Sequence, residues 1–263
     1  MDLEIQGNAA VVTASSSGLG KASAMALAEE GANVVINGRD EERLDRAVSD
    51  VDAAGSGTVV GQRGDITDED DVSALVDRAL DEFGGIDHLV TSAGGPPSGS
   101  FMDTTDEDWN DAHELLLMSV VRLIRESAEP LRADGGGTIV NITSRSVKEA
   151  IDPIVLSNSV RMGVVGLEKT LSREFAPEVR ANAVLPGPHE TSRVENLVED
   201  AVGRGEYDSY EEGIADRAES IPVGQLGDPT GLGRTVAFLS APSSAFINGT
   251  TVTVDGGLGR ATL

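Results

Sequence analysis

Residues 8–31, NAAVVTASSSGLGKASAMALAEEG, decide the fold. The first part, NAAVVTA, is a short apolar run with β-branched residues, the composition of a buried strand. The segment from Gly20 to Gly31 is a helix, and Gly31 suits the left-handed turn that ends one. Between them the chain crosses a turn of serines and glycines, with Gly18 and Gly20 where a tight bend opens the helix. Such a bend points backbone N–H groups and the positive end of a helix at one spot, which suits a pyrophosphate.

The same alternation repeats outward from this stretch. Strands read at NVVING (33–38), GTVVGQRG (57–64), IDHLVTSAG (86–94), GGTIVNITS (136–144), EVRANAVLPG (178–187) and GTTVTVDGG (249–257). Helices read at 41–54, 68–84, 106–132, from about Pro153, and at 230–240. Strictly alternating strand and helix predict an α/β fold, a single doubly wound parallel sheet of the Rossmann type with about seven strands and helices on both faces. No linker, repeat or low-complexity tract interrupts it, so residues 1–263 are expected to form one domain. Thr191 to Ile221, rich in Glu, Gly and Tyr, is the irregular stretch and reads as small helices forming a substrate lid over a cleft.

Composition narrows the function. The chain carries 45 acidic and 20 basic residues, a net charge of −25, and its only lysines are Lys21, Lys148 and Lys169. The acids are spread along the whole chain, so the surface repels itself at low salt. At about 1 M salt the Debye length falls to ~3 Å and the repulsion fades. These facts predict a salt-adapted protein of a high-salt cytoplasm; an unusually acidic mesophilic enzyme is the alternative. Nucleic acid is excluded as a partner, because phosphate contacts need basic surface. No apolar run reaches the ~20 residues of a membrane span, and MDLEIQG lacks the basic and apolar segments of a signal peptide. No membrane association and a cytoplasmic location are expected. The absence of cysteine rules out disulfides and thiolate chemistry, and three histidines are too few for a histidine-rich metal site, so no metal is expected.

Three further features join the glycine turn: Arg39 just past the second strand, Asp65 ending the third, and Ser92-Ala93-Gly94 ending the fourth. Together they resemble the short-chain dehydrogenase/reductase family over the whole chain, and most closely its 3-oxoacyl-[acyl-carrier-protein] reductase-like branch. TASSSGLG resembles the family's TGxxxGxG element, with Ala14 replacing the first glycine; SAG resembles its NAG, and NAVLPGPHET its nicotinamide loop. FINGTTVTVDGG is similar to its closing segment. The resemblance implies a nicotinamide cofactor bound by Thr13, Ser15, Ser17, Gly18, Leu19, Gly20, Arg39, Asp65, Ile66, Ser92, Ala93, Gly94, Pro186, Gly187 and Thr191. Gly38 stands where an NAD-preferring member carries Asp, and Arg39 follows it. A guanidinium there attracts a 2′-phosphate, so NADP is expected, with NAD as the alternative. Arg39 also reads as a surface partner of Asp40 or Glu42. Asp65 reads as an adenine contact or as the cap of the following helix, and Thr191 as a nicotinamide or phosphate contact or as a helix N-cap.

The catalytic half departs from that family. Its pattern implies a serine, a tyrosine, a lysine four residues further on, and an asparagine. Here Ser144 fits the serine, but Ser157 holds the tyrosine position, Arg161 the lysine position and Leu116 the asparagine position. The first tyrosine in the chain is Tyr207. Ser157 and Arg161 still share one helix face. Arg161 can hold ribose hydroxyls and stabilise a developing alkoxide, but it does not titrate at neutral pH. The expected activity is oxidoreduction of a carbonyl or secondary alcohol, a 3-oxoacyl thioester, sugar derivative or small ketone, through Ser144, Ser157 and Arg161. A relay through Ser157, a ribose hydroxyl and water would supply the proton. The alternative is a catalytically degenerate sensor of NADP(H) or a structural subunit. His189 reads as a substitute acid or as a loop histidine facing solvent. Arg145 and Lys148 read as contacts to an anionic substrate or as solvated charges, the GGPPSG segment (94–99) as a pocket wall or a plain connection, and Tyr207 and Tyr210 as a cover or as packing. The family resemblance also implies a homo-oligomer, tetramer or dimer, with Met162, Val165, Leu167 and Leu171 either shared between subunits or kept in the core.

Overall fold

The computed structural model describes residues 2–133 and 135–262. Among these, seven strands form one parallel sheet in the order β3-β2-β1-β4-β5-β6-β7. The strands are β1 (Ala9–Val12), β2 (Asn33–Gly38), β3 (Val59–Arg63), β4 (His88–Thr91), β5 (Gly137–Ile142), β6 (Val179–Pro186) and β7 (Thr251–Val254). Helices α1 (Gly18–Glu29), α2 (Glu41–Asp52) and α9 (Pro229–Ser240) supply Leu27, Leu44 and Leu232 to one apolar core. Helices α3 (Glu69–Phe83), α5 (Ser119–Arg132) and α6 (Val155–Glu174) supply Leu75, Leu123 and Val164 to the other. Both faces of β1 are therefore buried: Ala10 and Val12 enter the first core, Val11 the second. That explains why the strands read as continuous apolar runs rather than alternating ones.

The helix expected over 106–132 is interrupted. Helix α4 (Asp106–His113) passes through one π-helical turn, Glu114–Met118, into α5. The Ser119 hydroxyl donates to the Leu115 carbonyl at 2.6 Å beside that turn. A π-turn rotates the following side chains, and Leu115 reaches the main cavity while Leu116 stays buried in the core. The irregular stretch contains α7 (Ser192–Gly203) and α8 (Tyr210–Glu219). No described helix is long and apolar enough to cross a membrane.

β1 pairs with β2 on one side and β4 on the other, so the chain reverses its winding direction at β1. A crevice opens beyond the carboxyl ends of strands at such a switch point.

Candidate active site

A cavity of about 800 Å3 occupies that crevice. Ser17, Gly18, Leu19, Gly20, Arg39, Asp65, Ile66, Ser92, Ala93, Gly94, Thr191 and Arg161 border it. Thr13, Ser15, Ser144, Ser157, Pro186 and Gly187 are not on its wall.

The hydroxyls of Thr13 and Ser15 are spent on the scaffold. Thr13 Oγ1 donates to the Ser92 carbonyl at 2.7 Å and accepts from the Ser92 N–H at 2.8 Å, tying β1 to β4. Ser15 Oγ donates to the Val12 carbonyl at 2.6 Å and accepts from the Asn37 N–H at 2.9 Å. Asn37, which the sequence did not single out, is buried and lines the cavity. Its Nδ2 donates to Gln62 and Gly64 carbonyls at 3.2 and 3.1 Å, and its Oδ1 accepts from Ala14 N at 3.3 Å, joining the ends of three strands. A polar residue ending a buried apolar strand was the available signal.

The turn after β1 is strained at one residue. Gly18 adopts φ +57°, where glycine pays no Cβ penalty, but Ala14 adopts φ +46°. A Cβ on Gly20 would lie 2.5 Å from the Ala14 carbonyl oxygen, so only glycine lets α1 start this close to the turn. Ser17 precedes α1 without a side-chain cap, and the first turn carries no acid. By contrast Asp40, Asp68, Thr105 and Asp228 cap α2, α3, α4 and α9. An uncapped helix start facing a cavity suits an anion.

At the other end of β2, Arg39 Nη1 lies 3.4 Å from Asp65 Oδ2. The expected partners Asp40 and Glu42 are displaced because the ends of β2 and β3 pair, with Gly38 opposite Arg63. Asp65 does not cap the following helix; Asp68 does, accepting from Asp70 and Asp71 N–H. Partial burial pushes the Asp65 pKa up, but the Thr67 N–H and hydroxyl, with Arg39, outweigh it and hold the carboxyl below its ordinary range.

Ser157 and Arg161 are both buried on α6, and Arg161 Nε donates to Ser157 Oγ at 3.2 Å. Arg161 Nη2 donates to the Gly94 carbonyl at 3.3 Å, which ties the helix to the loop after β4. Ser144 Oγ accepts from Ser146 N at 3.1 Å at the end of β5. The 94–99 loop is pinned to the start of α6: Gly99 N donates to Pro153 O at 2.6 Å.

The solvent-facing reading of His189 fails: the side chain is buried, its Nδ1 lies 2.9 Å from the Gly187 carbonyl, and its backbone pairs with Gly227. It is a loop strut that neither faces solvent nor lines the main cavity. Tyr207 packs its own segment, donating to Asp216 Oδ2 at 2.8 Å, while Tyr210 is partly exposed. Arg145 pairs with Glu149 at 3.4 Å. Together with Lys148, Thr253 and Asp255 they border a second, smaller cavity of about 220 Å3. Leu171 lies in the core, Val165 and Leu167 are half-buried, and Met162 is 50% exposed.

A family model described as enoyl-(acyl carrier protein) reductase matches residues 13–259. The 3-oxoacyl-[acyl-carrier-protein] reductase FabG of Vibrio cholerae is 33% identical, with 97% of this chain and 99% of that protein covered. The uncharacterized oxidoreductase YvrD of Bacillus subtilis is 31% identical, with 99% and 100% covered. Among solved structures, L-sorbose reductase from Gluconobacter frateurii, complexed with NADPH and L-sorbose, superposes with a TM-score of 0.95 at 29% identity, covering 99% of this chain and 100% of that one. Actinorhodin polyketide ketoreductase with NADPH gives a TM-score of 0.90 at 30% identity, covering 96% and 97%.

Proposed function

The chain belongs to the short-chain dehydrogenase/reductase family, and from that premise we propose that it moves a hydride between NADP(H) and a carbonyl or secondary-alcohol substrate, with Ser157 and Arg161 in the places of the family's tyrosine and lysine. The substrate is a 3-oxoacyl thioester, a sugar derivative or a small ketone, in keeping with FabG and the L-sorbose reductase named above.

One observation carries this reading: a single cavity is bordered both by an uncapped helix start and by a buried guanidinium. The residues present fit the cofactor. The glycine turn leaves its backbone N–H groups to a pyrophosphate, Arg39 borders the ribose end, and Asp65 stays ionised to accept from an adenine amino group. The cofactor supplies the hydride when bound. Ser144 would donate to the carbonyl oxygen, Arg161 would place fixed positive charge near the alkoxide that forms, and Ser157 would relay a proton to it, regaining one from water through a ribose hydroxyl. Ser157 is a weak acid beside a phenol of pKa ~10. General acid catalysis supplies ~10²–10⁴-fold, so a poor acid costs about 3–5 kcal/mol of barrier at ~1.4 kcal/mol per decade. Positioning offsets a loss of this size. The residues from Thr191 to Ile221 serve as the substrate lid of the domain. The acidic surface belongs to a salt-rich cytoplasm, and the partly exposed face of α6 around Met162 serves a homo-oligomer.

The missing phenol favours a second reading, a sensor that binds the cofactor without turnover. The test is NADPH fluorescence titration in molar KCl, followed by NADPH oxidation against a panel of ketones, ketoses and 3-oxoacyl thioesters. Saturable binding with turnover supports the reductase. Binding without turnover on the panel favours the sensor, and absence of binding rejects both.

A further inference from the structure

Two guanidinium groups border the cavity beside the end of β2, and the structure treats them differently. Arg39 is already engaged, with Nη1 3.4 Å from Asp65 Oδ2. Arg43, in the first turn of α2, offers only its backbone N–H, which donates to Asp40 Oδ1 at 2.8 Å. Its guanidinium makes no hydrogen bond or ion pair among the described residues. Arg46, Arg125 and Arg173 are likewise without a side-chain partner among the described residues, but of these only Arg43 borders the cavity. The Asp40 carboxylate lies on the same wall and opposes an incoming anion, so one arginine partly neutralised by Asp65 is a poor phosphate site.

We propose that Arg43 is the principal reader of the cofactor's 2′-phosphate, with Arg39 as its auxiliary, so that coenzyme preference rests on a residue outside the glycine turn and the end of β2. The proposal rests on the NADP reading above and adds a specificity-determining residue to it. The physical reason is availability. Among the described residues no acceptor occupies the planar N–H donors of Arg43, whereas Arg39 commits one Nη1 donor and part of its charge to Asp65. Asp65 in turn must keep its carboxylate available for the adenine amino group, so a shared Arg39 is drawn between two tasks.

Equilibrium titration at one fixed KCl concentration tests this, with NADPH, NADH, 2′,5′-ADP and 5′-AMP as probes of the wild type and of Arg43→Met, Arg43→Lys and Arg39→Met. A charge-assisted bond to phosphate is worth about 10- to 100-fold in affinity. Arg43→Met is expected to weaken NADPH and 2′,5′-ADP by about that factor and to leave NADH and 5′-AMP unchanged. Arg43→Lys should recover part of the loss, and Arg39→Met should cost less than Arg43→Met. Undiminished NADPH affinity in Arg43→Met overturns the proposal. So does an equal loss for NADH, which would make Arg43 a support of the fold, or a phosphate preference that disappears with Arg39→Met alone. A wild type that binds NADH and 5′-AMP but shows no gain from a 2′-phosphate also overturns it. A wild type that binds none of the four probes fails differently, because it removes the hydride-transfer reading itself.

Discussion

Arg161 donates from Nε to Ser157 Oγ at 3.2 Å, and both side chains are more than nine-tenths buried. The pair occupies one face of α6 one turn apart, so the guanidinium charge lies next to a hydroxyl that has no phenol's acidity. An arginine stays protonated throughout the working range.

Turnover is therefore expected to show no ionisation assignable to residues 157 and 161 between pH 6 and 9. Ser157→Ala should lower kcat by about 10- to 100-fold with little change in cofactor affinity. Arg161→Met should lower kcat more and also raise KM, since it removes the proposed ribose contact and leaves the Gly94 carbonyl without that donor. Steady-state kinetics across pH in molar KCl check this; undiminished kcat in either variant contradicts the assigned roles.

Ala14 adopts φ +46° in the turn after β1. A non-glycine residue in the left-handed region costs roughly 1–2 kcal/mol, and a glycine in the unfolded chain returns part of that as extra entropy. Ala14→Gly should raise stability by about 0.5–1 kcal/mol, a Tm gain of roughly 1–4 °C for a chain of this size. Thermal unfolding at fixed salt measures it.

Two buried groups titrate in opposite directions. His88 Nε2 lies 3.0 Å from Asn8 Nδ2 and its Nδ1 2.9 Å from Thr138 Oγ1, so the neutral ring accepts from Asn8 and donates to Thr138. Burial, with Arg180 nearby, pushes its pKa down to about 4. The unfolded chain takes up this proton first as pH falls, so stability is present above about 6.5 and is lost toward about 4. Glu168 is buried on α6 with Oε1 lacking a partner, and burial pushes its pKa up to about 7 against the opposing pull of Lys169. Its contribution is present below about 4.5 and is lost as pH rises to about 7.

Between about pH 4.5 and 6.5 these two slopes cancel, each near 1.4 kcal/mol per pH unit. Relative to the wild type, Glu168→Gln should gain stability with rising pH across this window, and His88→Gln should lose it. Denaturant unfolding at pH 4.5, 5.5 and 6.5 reads the slopes; parallel profiles for all three proteins contradict the assignment.

The charge of −25 sets the salt response. Raising KCl from 0.1 M to 2 M shortens the Debye length from ~10 Å to under ~3 Å and removes most of the self-repulsion. The unfolding midpoint should rise steeply over that range and level off beyond it. A midpoint independent of KCl would contradict the salt-adapted reading.

The order of elements was legible in residues 8–31 and their repeats, because apolar strands buried on both faces and helices closed by glycine follow from local composition. The absence of any tyrosine before Tyr207 was legible too, since it is a property of the chain itself. What the chain alone left open were contacts between segments distant in sequence. Arg39 meets Asp65 rather than its neighbours because parallel pairing brings the ends of β2 and β3 together. His189 is buried because its backbone pairs with Gly227, 38 residues on. Leu115 rather than Leu116 reaches the cavity because of a π-turn that no periodicity announces. Residue types and spacing determined which groups are available for chemistry. Burial and strand pairing, which arise only when the sheet assembles, decided which of them are already engaged and which, like the guanidinium of Arg43, are not.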